Sequence, residues 1–363
     1  MPDVLLFGAT GYTGRLTARA LKDRSASFVV CGRNRAKLEK LAEETGAEDV
    51  RIAEAGDTDG LVKALSDVKV MITCVGPFLR FGDTAVEAAL RAGVHYIDST
   101  GEGSFIAKLI ERSGEAKAAG IAMAPAMGFD EVPADTAATI ACEGMGSAEL
   151  VVTYAFPSHG SAGTIRTMAN IVTTDAHWVE DGRGISVAPG SRSRWAPMPA
   201  PLGPRPTTAF PFAEGHLAPL HLDLRSLQLY ASVGRMASAG ARFGFPAARL
   251  FLGRPEATKL VDRLAARLPD GPTDEQRAKS YFTILAEARS GDSWRNVTIQ
   301  GVDVYGLSAL FLSAGAVAMA KEDYERTGVL APVETLGVDG WREELRAGGC
   351  DIEVYEPVDS EGS

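Results

Sequence analysis

At 363 residues the chain exceeds one typical domain and suggests two, and its 45% hydrophobic and 23% charged residues suit a soluble protein with a substantial core. A formal charge of −10 with no basic block argues against nucleic-acid binding. Cys31, Cys74, Cys142 and Cys350 are scattered without a C-x-x-C pair, and the 5 histidines are dispersed, so the cysteines read as reduced core thiols of a cytoplasmic protein and no metal site is expected.

Val4-Leu5-Leu6-Phe7 is an apolar run that begins at once, so no signal peptide is expected before it. It leads into Gly8-Ala9-Thr10-Gly11-Tyr12-Thr13-Gly14, then a helix-period segment with Leu16, Ala20 and Leu21 on one side, then a second apolar run, Phe28-Val29-Val30-Cys31. Strand, glycine turn, helix and strand in that order make one βαβ unit. Gly8 suits the sharp turn out of the strand, Gly11 leaves room for a pyrophosphate beside the backbone, and Gly14 lets the helix approach the sheet. The helix N-terminus aims N–H groups at phosphate. Thr10, Tyr12 and Thr13 belong to the same candidate dinucleotide loop, whose G-x-x-G-x-x-G spacing is a variant of the usual fingerprint.

An NAD enzyme places a carboxylate at the end of the second strand for the ribose 2′-hydroxyl. This chain has Gly32-Arg33-Asn34-Arg35-Ala36-Lys37, with no carboxylate until Glu39. A guanidinium at Arg33, with Asn34 and Lys37 nearby, suits a 2′-phosphate, so NADPH is expected rather than NADH; the bland alternative is a solvated basic helix start.

The alternation continues through a weak strand at 49–53, a helix at 58–65, a strand at 68–75 buried on both faces, a helix at 83–92, a strand at 95–98, a helix at 104–119 and a strand at 121–124. The fold class is α/β, a doubly wound parallel Rossmann sheet ordered 3-2-1-4-5-6. Its ligand lies across the C-terminal strand ends, where Cys74-Val75-Gly76-Pro77-Phe78, the segment from Asp98 to Glu102 with Gly101, and the segment with Gly128, Phe129 and Asp130 all fall, while Asp57 is placed to meet adenine.

Near Gly144 the pattern changes. A strand is expected at 149–156, a small-residue turn at 158–164, a helix at 165–179, a proline-rich segment without structure at 195–219, a strand at 221–233 and a helix from Pro246 to about 268. A hairpin follows, 280–289 and 293–302 about Ser290-Gly291-Asp292, so the second domain reads as α+β on a largely antiparallel sheet that can pair across a two-fold axis into a homodimer. The apolar window at 305–320 is short of the about 20 residues a spanning helix needs, and it reads as a buried helix with no transmembrane segment.

The glycine loop, Cys74-Val75-Gly76-Pro77-Phe78, the run from His95 to Glu102 and the run from Gly128 to Asp135 together resemble the saccharopine dehydrogenase-like oxidoreductases, and within them the trans-acting enoyl reductases of lipid and polyketide assembly. The resemblance extends to Ser161-Ala162-Gly163-Thr164, to residues 301–307 and to residues 328–334. It implies an NADP-binding Rossmann domain at 1–143, an inserted substrate domain at 144–304 and a C-terminal helical segment at 305–363 that returns to the first domain. It also implies reduction of a carbon–carbon double bond in an acyl chain, held as a thioester on an acyl carrier domain or on coenzyme A.

Such a reduction needs donors at the developing enolate oxygen and a proton at the α-carbon. Backbone N–H groups at 160–164 could supply the first, although a plain strand-to-helix turn fits equally. For the proton, Asp130 and Glu102 lie on the expected loops, and either could instead cap a helix or pin a loop. None of the 8 tyrosines has a lysine four positions on, which removes the Tyr/Lys pair of short-chain dehydrogenases. The alternatives are a saccharopine-type reductase of an imine or carbonyl, which needs convergent cations such as Arg166, Arg183, Arg192 and Arg194, and an NADP sensor without turnover.

Overall fold

The computed structural model describes residues 2–156, 173–232 and 271–357, together with 244, 248, 251, 252 and 257. The expected turn at 158–164, Arg166 and the helix from 246 to 268 lie outside the described residues, apart from those isolated positions. The first sheet comprises β1 (Val4–Phe7), β2 (Phe28–Gly32), β3 (Val50–Ile52), β4 (Val70–Thr73), β5 (His95–Asp98) and β6 (Ala122–Ala124). Their spatial order is 6-5-4-1-2-3 and every pairing is parallel, with Val4 opposite both Phe28 and Val70. This is the doubly wound order expected.

Period-two alternation divides each strand between two cores. Val4, Leu6, Val30 and Ile72 point to one face, and Leu5, Phe7, Val29 and Met71 to the other. The first face receives α1 (Tyr12–Asp23) and the helix Val304–Met319. In α1 the buried stripe is Gly14, Thr17, Ala18 and Leu21; Leu16 and Ala20, expected inward, are only half-buried. The helix Val304–Met319 is buried along most of its length, as its uniform hydrophobicity requires, and it starts at Asp303, whose carboxylate accepts from the Gly306 N–H at 2.9 Å. A Cβ at Gly315 would lie 2.7 Å from Ile97 Cδ1, so glycine there lets this helix close on the sheet.

The second sheet is mixed. β7 (Ala148–Ala155) runs parallel to β12 (Leu224–Ala231) and antiparallel to β13 (Phe282–Ser290), which turns back at Gly291-Asp292 into β14 (Ser293–Gly301). The outer strands are β8 (Ala176–Glu180), β9 (Arg183–Val187), β10 (Ser193–Ala196) and β11 (Arg205–Ala209). The helix α7 (Glu131–Cys142) leaves the end of β6, is buried almost throughout, and packs on β7, β13 and β14. It is the solid joint between the two sheets.

Several expectations are corrected. The helix expected at 165–179 cannot extend through 176–180, which form β8. The segment 195–219 is not a long loop: it carries the end of β10, all of β11 and the helical turns 214–217 and 218–220. Pro206 is tolerated because it precedes the pairing of β11 with β12, which begins at Thr208, so its missing N–H breaks no bond to β12. The helix α4 (Phe78–Ala92) starts five residues before position 83. The helix expected at 104–119 is two, α5 (Gly103–Glu111) and α6 (Ser113–Ala118), and the Ser113 hydroxyl accepts from the Val329 N–H at 3.0 Å.

The C-terminal region is not purely helical. Gly328–Val329, β15, adds a seventh parallel strand beside β6, and Asp351–Tyr355, β16, adds to the second sheet beside β14. Between them the helix Pro332–Ala347 packs on α7. Where these meet, the buried Asp135 carboxylate pairs with His221 Nε2 at 2.7 Å and accepts from the Val333 N–H at 2.8 Å.

Burial alone would lower the His221 pKa, but the Asp135 charge and hydrogen bond outweigh it and the net shift is upward. A raised folded-state value gives stabilisation that is complete below the unfolded value of roughly 6.5 and lost as pH rises through the folded value. His221→Ala should therefore cost about 3 kcal/mol at pH 6, because it strands a buried carboxylate, and clearly less at pH 9. Chemical denaturation at both pH values checks this, and equal losses would contradict it.

Candidate active site

The glycine turn is built on backbone contact. Gly8 stands at φ +80° and hydrogen-bonds back to Cys31, and the Gly11 N–H reaches the Gly8 carbonyl at 3.0 Å. A Cβ at Gly14 would fall 2.3 Å from that carbonyl oxygen and 2.8 Å from Ala9 Cα, and one at Gly8 would fall 2.7 Å from Val75 Cγ2. Gly8 and Gly14 thus serve the sharp turn and the close helix packing for which sequence assigned them. No side chain caps α1, so its first N–H groups remain available to an anion. Arg15 Nη1 donates to the Thr10 carbonyl at 2.7 Å and holds a cation beside this turn, a feature that sequence reading missed.

Around the turn, Arg33 and Lys37 are exposed past the end of β2 and form no ion pair among the described residues. Asn34 caps α2 (Arg35–Thr45) by accepting from the Lys37 N–H, and Asp57 likewise caps α3 (Thr58–Ala64) by accepting from the Gly60 N–H at 2.9 Å. The Tyr12 hydroxyl donates to the Pro272 carbonyl at 2.5 Å and its ring meets Tyr305 edge-on at 5.2 Å, which directs this side chain toward the second domain. A tight turn with glycine where no Cβ fits at positions 8 and 14, an uncapped helix start and cations past β2 that form no ion pair among the described residues fit a phosphorylated dinucleotide.

At the ends of β5 and β6 a single carboxylate organises two loops. Asp98 is fully buried and accepts from the Tyr96 hydroxyl at 2.5 Å, the Thr100 N–H at 2.8 Å and the Ala126 N–H at 3.0 Å. Burial pushes its pKa up to about 6 against the pull of those bonds. Ala126 takes a left-handed φ of +61°, a strain of the kind that collects at working sites. The Phe129 N–H donates to Ser308 Oγ at 3.1 Å, which ties the β6 loop to the helix Val304–Met319.

Glu102 is buried, and its two carboxylate oxygens accept from the Phe78 and Leu79 N–H groups at 2.9 and 3.0 Å. This remote cap explains the early start of α4 and gives Glu102 a pinning role in place of the expected acid. Cys74, Val75, Gly76 and Pro77 lie between β4 and that helix, and Gly101 lies beside Glu102. Burial pushes the Cys74 thiol up to about 12, so it is inert.

Asp130 stays at the site and brings company. It is half-buried next to Glu131, and a Cβ at Gly128 would lie 2.8 Å from Asp130 Oδ1 and 2.9 Å from Glu131 Oε2, so the two carboxyls converge over Gly128. Glu214, from the turn 214–217 of the second domain, completes the cluster. Glu131 and Glu214 are 2% and 1% exposed. Desolvation, with the Asp130 charge adding to it, holds both carboxyls well above the usual carboxylate range.

Beside them stands an aromatic wall. Tyr154 stacks on Phe212 with centroids 3.7 Å apart, Phe156 lies 5.5 Å from Phe212, and Phe129 meets Phe156 and Phe282 at 5.9 and 5.7 Å. His177 and His216 stack at 4.6 Å along a recess that Glu102 and Phe212 also line, and burial lowers the His216 pKa to about 4. Sequence reading missed Glu131, Glu214 and Tyr154. Arg192 pairs with Glu180, and Arg194 pairs with Glu287 at 2.9 Å, so these two do not converge on a pocket. Arg183 is exposed on β9. Among the described residues no group of three or more metal-ligating side chains is found, and no helix is long and apolar enough to cross a membrane.

Fold and site define a two-domain protein with a nicotinamide-dinucleotide domain. Residues 4–124 match the saccharopine dehydrogenase NADP-binding domain family. The chain is 36% identical over 140 residues to a trans-acting enoyl reductase of Mycobacterium leprae, covering 37% of this chain and 34% of that protein. That match spans about a third of the relative's length. A trans-acting enoyl reductase of Mycobacterium ulcerans is 25% identical over 393 residues, covering 92% of this chain and 93% of that protein. The fold is similar to that of apo saccharopine dehydrogenase (L-Glu forming) from Saccharomyces cerevisiae, with TM-score 0.61, 13% identity and coverage of 99% and 100%. The N-terminal domain is therefore an NADP-binding domain of the saccharopine dehydrogenase type, and the likeness to the saccharopine dehydrogenase-like oxidoreductases runs along the chain.

Gly14→Ala should cost about 1–3 kcal/mol, because the three nearest atoms that a Cβ would meet are all backbone and cannot swing away. It should also weaken NADPH binding, whereas Gly114→Ala, where a Cβ meets open space, should do neither. Thermal melts and NADPH fluorescence titrations check both; an unaffected Gly14→Ala would contradict the packing argument.

Proposed function

We propose that the protein is an NADPH-dependent reductase of a carbon–carbon double bond in an acyl thioester, presented by an acyl carrier domain or by coenzyme A. The observation that carries this reading is the aromatic wall: Phe129, Tyr154, Phe156 and Phe212 in a chain of ring contacts beside buried acids, with Arg192 and Arg194 consumed by ion pairs. An apolar acyl chain suits such a wall, and an amino-dicarboxylate does not. Similarity over 92% of the chain to a protein named trans-acting enoyl reductase supports the same choice.

In this reading the turn from Gly8 to Gly14, with Thr10 and Thr13, binds the pyrophosphate. Arg33 and Lys37 take the adenosine 2′-phosphate, while Asn34 and Asp57 act through the helix starts that they cap. The segment from Cys74 to Phe78 with Gly101, Gly128 and Phe129 walls the nicotinamide end. When bound, the nicotinamide supplies hydride. The protein's part is to align the acyl chain, to exclude water through its aromatic side chains and to deliver a proton. The edge of β10, unpaired among the described residues, is a surface for docking of a second copy or a carrier.

An α,β-unsaturated acyl-CoA should drive NADPH oxidation, and a keto acid with an amine should not. Arg33→Ala should raise KM for NADPH by about tenfold to a hundredfold, the worth of a charged hydrogen bond, and leave KM for NADH unchanged. Turnover with only the keto acid and amine would favour the imine-reducing alternative. Binding of NADPH without turnover of any acceptor would leave a sensor.

A further inference from the structure

The Tyr154 hydroxyl is fully buried and lies against Glu214, yet neither it nor either Glu214 oxygen completes a hydrogen bond of ordinary geometry with a described residue. Unmade bonds of buried polar groups cost stability, so their survival here asks for an occupant or a task. The groups form a sequence in space. Asp130 is half-buried and within solvent's reach, Glu131 converges with it over Gly128, and Glu214 faces Asp130, Asp135 and Tyr154. Tyr154 ends the series among Phe156 and Phe212. Of these neighbours Asp135 is already engaged with His221 and Val333, so it stands outside the series. Burial and the neighbouring Asp130 charge hold the Glu131 and Glu214 carboxyls well above the usual carboxylate range, which favours their protonated forms.

We propose that Asp130, Glu131, Glu214 and Tyr154 form a proton relay from solvent to the α-carbon of the acyl substrate. This rests on the enoyl-reductase reading above. Reduction of the double bond adds hydride from NADPH at the β-carbon, and the π electrons move to the α-carbon and its thioester carbonyl as an enolate. The enolate takes the proton of the Tyr154 O–H at the α-carbon, and the phenolate left behind takes the carboxyl proton of Glu214. Glu131 and then Asp130 pass a replacement proton inward from water. Atoms and charge balance: one hydride and one solvent proton enter, and NADP+ and the saturated thioester leave.

The test uses the full-length protein, NADPH and crotonyl-CoA as probe. Glu214→Gln and Tyr154→Phe should each lower kcat about a hundredfold, within the range of general acid catalysis, with KM for NADPH unchanged and a larger solvent isotope effect on kcat. Independently of turnover, infrared difference spectra of the protein at neutral pH should show a protonated-carboxyl band that weakens in Glu214→Gln. Both variants reaching wild-type kcat within twofold, with the same isotope effect, would overturn the relay, as would a wild type lacking that band. Wild type that oxidises no NADPH with the thioester would sink the function and the relay together, whereas active wild type with indifferent variants would sink the relay alone.

Discussion

The contact on which the rest depends is the approach of the first helix to the turn before it. Gly14 packs where a Cβ would stand 2.3 Å from the Gly8 carbonyl, and that fit leaves a bare helix start beside the ends of β1 and β4. Everything else at the site is arranged around the space so created. The helix Val304–Met319 backs α1 from behind and, through Ser308, holds the β6 loop that carries Phe129, Asp130 and Glu131.

The same loops show how buried charge divides labour. Asp98 accepts from three donors and Glu102 from two, and each serves as a fixed peg. At Glu131 and Glu214 burial, with the Asp130 charge beside it, outweighs the hydrogen bonds and holds both carboxyls well above the usual carboxylate range.

The core of the Rossmann sheet was legible because β1, β2 and β4 are buried on both faces and so read as uninterrupted apolar runs, punctuated by glycine at the one turn where backbone must touch backbone. What escaped was set by distance in the chain. β15 is only Gly328–Val329, too short to show a period, and it exists because β6 offers an edge. The cap on α4 comes from Glu102 across a strand and a helix, so local pattern placed the helix start too late. Proline density between 195 and 219 read as loop, although Trp195 and Pro206 are cross-strand partners. Glu214 did carry a signal, since it is a lone carboxylate in the apolar run from Phe210 to Leu217; without the tertiary fold, nothing joined it to Glu131 or Tyr154.

The most direct test of the whole account is a crystal structure with NADPH bound. The pyrophosphate should lie at the first turn of α1, the 2′-phosphate at Arg33 and the nicotinamide toward Phe129, Tyr154 and Glu214. A nucleotide seated elsewhere, or a nicotinamide turned away from those three residues, would contradict it.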